Sequence, residues 1–184
     1  ALWFPTFLIR SYGMSPAEVG MSYGMIMLTC GTVGTLSGGW LAGRLMQGGR
    51  ADANMRVVLI ATLLKGVPLI IAPLMPTAFW SLTMMAIGTL IGQASQGVML
   101  TAIQDVTPNQ LRGQVTAISL LCVNLVGMGL GASVIAAITD FGFGDQAALG
   151  YSIAIAGAVV LPLIVALLLV ALPHYRRAVE SLAR

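Results

Sequence analysis

The residues best placed to do chemistry here are two glutamines. Gln93 and Gln96 are three apart, hence on one helix face, near the middle of an apolar run from Phe79 to Ile103 that also holds Ser95. Polar groups at membrane depth are costly, so they either line a pathway or hydrogen-bond a neighbouring helix. Asn124, in the following run, admits the same two readings, with packing the more ordinary. Lys65 lies nine positions past Arg56, about 13 Å into another run. An unpaired ammonium there costs about 2.5–3.5 kcal/mol on insertion scales. Either it acts on something within the membrane, or its long stem snorkels or meets a neighbour's carbonyl.

Missing chemistry narrows the choice further. Glu18, Asp52, Asp105, Asp140, Asp145 and Glu180 all fall outside the apolar runs or at their ends. No carboxylate is therefore on hand for an intramembrane proton relay. The sequence has no His-Glu-x-x-His and no intramembrane aspartate pair, and its sole histidine, His174, reads as a headgroup-level side chain. Cys30 and Cys122 sit inside apolar runs and read as small membrane-buried side chains rather than a disulfide or metal pair. No catalytic residue, metal or cofactor is expected, and the chain does not read as an enzyme.

The elements that must hold these residues are membrane helices. The chain is 58% hydrophobic and only 8% charged, with a mean hydropathy of +0.93. A soluble globule carries about 25% charged residues, so this one has too little polar surface to cover itself. Its net charge of +3 comes from arginines scattered at run ends, which is no nucleic-acid footprint. The runs predict spans at about 19–42, 57–74, 79–103, 115–139 and 150–172, after a partial one at 1–10. Because Ala1 lies inside an apolar stretch, the chain is expected to be a fragment. Ser15-Pro16-Ala17-Glu18 predicts a capped helix start. The segments 43–52, 105–114 and 140–145 read as loops, and Pro173 as the start of a basic tail.

With loops alternating sides, Arg44, Arg50, Arg56, Arg112, Arg176, Arg177 and Arg184 share one side and Arg10 stands alone on the other. Lys and Arg are retained in the cytoplasm, so the first side is expected to be cytoplasmic. Tyr23, Trp40, Phe79, Trp80, Phe141, Phe143, Tyr151 and Tyr175 lie near run ends, as an interfacial belt requires. Gly34/Gly38, Gly39/Gly43, Gly88/Gly92 and Gly127/Gly131 are each four apart. Such faces allow close packing, and allow helices to slide or rock.

Several stretches then resemble a known family. Gly39-Trp40-Leu41-Ala42-Gly43-Arg44-Leu45-Met46-Gln47-Gly48-Gly49-Arg50 is similar to the signature loop of the major facilitator superfamily, as repeated between helices eight and nine. Thr107-Pro108-Asn109-Gln110-Leu111-Arg112-Gly113-Gln114 resembles the loop between helices ten and eleven. Leu125-Val126-Gly127-Met128-Gly129-Leu130-Gly131 with Thr139-Asp140 resembles helix eleven of the Spinster-like and organic-anion branches, and Trp3 to Arg10 the outer end of helix seven.

That resemblance implies an all-α fold, the C-terminal six-helix half of a twelve-helix secondary transporter with its first helix truncated. The half would move a small organic anion or amphipathic lipid-like solute by alternating access, with a proton or other ion coupled through an N-terminal half. The alternative is a non-transporting structural subunit. Implied partners are the bilayer, a small-molecule solute and the N-terminal half, with no nucleic acid. The implied location is a bacterial inner membrane, with the C-terminus cytoplasmic. Gln93, Gln96, Asn124, Trp3, Phe4 and Arg10 would line the cavity. Phe7 could help wall an amphipathic solute, and Arg10 could attract an anion or simply anchor to headgroups. Gly39, Arg44, Arg50, Asp105, Arg112 and Gly113 would form the cytoplasmic gate. The family's gate acid is replaced here by Gly43, so Asp105 with Arg112 would either substitute for it or remain a surface pair worth at most about 1 kcal/mol.

Overall fold

In the computed structural model, described for residues 3–48, 52–143 and 149–182, the chain is a bundle of helices with no strand among the described residues. A short helix, α1 (Trp3–Tyr12), precedes five long ones: α2 (Pro16–Gln47), α3 (Ala53–Leu74), α4 (Ala78–Asp105), α5 (Arg112–Asp140) and α6 (Leu149–Leu182). All five long helices have the length and hydropathy to cross a membrane. Large apolar side chains such as Leu36, Ile60, Phe79, Leu121 and Leu167 stand exposed around the bundle. Water would not tolerate so much apolar surface, whereas lipid requires it.

Local chemistry sets the helix starts. Ser15 caps α2 through a capping box with Glu18, as the sequence predicts, with Pro16 in the first turn. Thr77 caps α4 by accepting from the Trp80 amide. Several expected ends lie further along. Pro173, expected to start the tail, sits inside a continuing helix, as Pro68 does within its expected span, because packing against neighbours outweighs one lost backbone bond. α6 thus runs on to Leu182, with Arg176 bridging Glu180 at 2.9 Å one turn later, where a basic tail was expected. α2 extends to Gln47, and Asp140 lies in a π-helical turn, Ile138–Phe143, rather than at the start of an acidic loop. Two more π-helical turns, Met27–Gly31 and Leu125–Leu130, interrupt α2 and α5.

Opposed contacts fix the register. α3 and α4 run antiparallel: Asn54 bonds Asp105, and a β-carbon added at Gly92 or Gly88 would meet Lys65 or Leu69. α3 and α6 do the same through Gly66 with Leu161 and Ile70 with Gly157. α2 crosses α4 through Gly34 and Gly38, where added β-carbons would collide with the carbonyl groups of Leu90 and Ala94. By contrast, Gly39, Gly43 and Gly127 meet nothing. Two apolar cores result. One, around Phe4, Phe7, Leu8, Met85 and Leu149, lies at the α1 end; the other, Ala42, Val57, Val58 and Val98, lies at the arginine-rich end.

Candidate functional site

Between these two cores lies a cavity of about 580 Å³, within the range of small-molecule sites. Its walls come from α2, α3, α4 and α6, with Phe4 of α1 and Gly131 and Ile135 of α5 adding to the lining. Apolar side chains such as Met27, Leu69, Met85 and Leu161 make up most of the lining. Its polar groups are Tyr23, Thr62, Lys65, Thr89, Gln93 and Gln96. Lys65 lies about 17 Å along the α3 axis from Asn54, close to the middle of a hydrocarbon core about 30 Å thick. Its Cδ would stand 3.6 Å from a β-carbon at Gly92, so the Lys65 stem packs against α4 at this glycine. On the other side of α4, the Gln93 amide nitrogen would stand 3.7 Å from a β-carbon at Gly31.

Hydrogen bonding separates the cavity from the rest of the bundle. Thr29, Thr32, Thr83, Thr101 and Thr139 each donate to the carbonyl four residues back, the usual way for a hydroxyl to be satisfied in lipid. Thr62 and Thr89 make no such bond, and Lys65, Gln93, Gln96 and the Tyr23 hydroxyl have no hydrogen-bond partner among the described residues. Unpaired polar groups in an apolar medium cost several kcal/mol each, yet here they converge on one space.

Gln93, Gln96 and Phe4 therefore line the cavity, and so does Lys65. Trp3 does not: its indole nitrogen donates to the Ala132 carbonyl at 3.1 Å and ties α1 to α5. Phe7 is packed in the core against Gly150. Arg10 is exposed in the last turn of α1. Asn124 returns its amide to the Leu120 carbonyl at 2.8 Å and stays outside the cavity, because no residue of Arg112–Asn124 is buried against the rest of the bundle. Tyr23, Thr62 and Thr89 are additional lining residues. Their signal lay in plain spacing: Thr62 is three before Lys65 and Thr89 four before Gln93, so each shares a helix face with the residue already singled out.

At the arginine-rich end, Asp105 and Arg112 do not pair. Arg112 donates from Nε to the Thr107 carbonyl at 3.2 Å and closes the hairpin. Asp105 Oδ2 instead accepts from Asn54 at 2.6 Å and from the Tyr175 hydroxyl at 2.9 Å, joining the ends of α3, α4 and α6. One turn away Arg56 bridges Asp52 at 2.8 Å. Arg44 lies over the Trp40 ring at 4.0 Å, Gly39 and Gly113 face open space, and Arg50 lies outside the described residues. Comparison of the chain with protein-family models, with curated proteins and with solved structures returns no match.

Proposed function

We propose that this chain is one half of a secondary membrane transporter, the C-terminal half of a major-facilitator-type bundle, and that it moves a small organic anion or amphipathic solute by alternating access. One observation carries the reading: partnerless polar side chains gather round a cavity at mid-membrane depth, in a bundle where most other threonine hydroxyls bond the preceding turn. A packing subunit gains nothing from such groups, whereas a solute pathway needs them. The exposed faces of α5 and of Gly39 and Gly43 suit a second half, and glycine faces permit the rocking that alternating access requires. Coupling to a proton would use an acid of that second half. In this reading the arginine-rich end is cytoplasmic in a bacterial inner membrane.

The test is Gln93→Cys in the whole natural protein, with Cys30 and Cys122 replaced by Ser and Gly113→Cys as the aqueous control. A membrane-impermeant maleimide should modify position 93, and added solute should slow the reaction. Complete protection of position 93 from both faces, with position 113 reacting normally, would refute transport and favour a sealed structural subunit.

A further inference from the structure

We infer that Lys65 is the centre of an anion site inside this half of the bundle, built for the carboxylate or phosphate head of a single-chain amphiphile. Three observations converge. First, the ammonium cannot reach either membrane surface by snorkelling. It stands about 17 Å from the Asn54 end of α3 and about 14 Å from Leu74, too far for a four-carbon stem in either direction. Second, no described residue neutralises it. None of the groups facing the cavity from α2, α3, α4, α5 or α6 is a carboxylate, and Lys65 has no ion pair among the described residues. Third, the polar side chains lining the same cavity are donors still to be used: the Thr62 and Thr89 hydroxyls and the Gln93 and Gln96 amides. An ammonium carries donors only, and hydroxyls and amides can turn donors to the same point, so the set is complementary to an oxyanion.

The rest of the lining selects the body of the ligand. Met27, Leu69 and Leu161 give a bare inorganic anion nothing to replace its hydration, whereas an alkyl chain buries against them at about 0.8 kcal/mol per CH₂. Val160 and Ile164 line the cavity and are also well exposed, so the cavity has an open apolar side along α6 where the chain end can lie. As a transported solute this ligand depends on the function proposed above; as a bound ligand it does not.

The experiment is equilibrium binding of radiolabelled decyl phosphate to the whole natural protein in phosphatidylcholine nanodiscs. Decanoate, decanol, decyltrimethylammonium and inorganic phosphate serve as competitors. Decyl phosphate and decanoate should compete well, and decanol and the cation poorly. Lys65→Met should weaken decyl phosphate by about 10- to 100-fold, the value of a charged hydrogen bond, while Lys65→Arg should retain most of the affinity. Gln96→Leu, which leaves the charge in place, should cost a few-fold and serves if Lys65→Met does not fold. Unchanged binding in Lys65→Met, or decanol competing as well as decyl phosphate, would overturn the site. Inorganic phosphate competing as well as decyl phosphate would overturn the amphiphile and leave a small free anion as the occupant. Lys65-independent binding with position 93 still accessible sinks the site and leaves transport standing. Lys65-dependent binding with position 93 sealed does the reverse.

Discussion

Two adjacent glycines in α2 should respond oppositely to the same added methyl group. At Gly38 a β-carbon would lie 2.7 Å from both the carbonyl carbon and the Cα of Ala94, and closer still to its oxygen. The obstacle is backbone, so no rotamer change relieves it. α2 and α4 must part by about 1 Å to restore ordinary contact, an overpacking that costs about 1–3 kcal/mol. Removing a glycine from a helix returns about 0.5–1 kcal/mol, so Gly38→Ala should lose about 1–2 kcal/mol net. Gly39 meets nothing within 4 Å, so Gly39→Ala should be neutral or slightly stabilising. The assay is reversible unfolding of the whole protein in mixed micelles titrated with sodium dodecyl sulfate, followed by far-ultraviolet circular dichroism. Equal stability of the two variants, or a loss confined to Gly39→Ala, would refute the α2–α4 contact. The walls of the cavity would then need redrawing, because Gln93 sits on that interface.

Other consequences are as direct. Tyr175→Phe should cost about 1–2 kcal/mol, the low end for a hydrogen bond to a charged group at a half-buried site, and should cost nothing in an Asp105→Ala background. An equal loss in both backgrounds would mean that the hydroxyl does not act through Asp105. Ser81, whose hydroxyl is buried without a hydrogen-bond partner among the described residues, should gain about 1 kcal/mol on replacement by Ala; a loss of stability in the same unfolding assay would show that the hydroxyl is satisfied.

The membrane bundle was legible from hydropathy and loop chemistry, because lipid leaves the backbone few options: each of the five long apolar runs became a helix of spanning length. Helix ends were less so. Pro173 reads as the start of a tail, but α6 continues past it to Leu182. At the site, Gln93 and Gln96 were recognisable because amides are rare in such runs. The cavity itself required knowing that α3 opposes α4 in a register that brings Lys65 against Gly92. One sequence does not specify that offset. Nor does it reveal that Asp105 turns to Asn54 and Tyr175, about fifty and seventy residues away, instead of to the nearby Arg112. Asn124 and Arg10 belong to faces that this chain leaves open.

The depth of Lys65 has an electrical meaning as well. Carrying one elementary charge across the whole bilayer is worth about 2.3 kcal/mol per 100 mV. A charge that travels from either face to the level of Lys65 crosses roughly half that drop, or about 1.2 kcal/mol, a change of about sevenfold in occupancy. With the cell interior negative, an anion is drawn towards this level from the cytoplasm and driven onward to the outside. If the chain moves such an anion, as proposed above, the membrane voltage biases the direction of that movement.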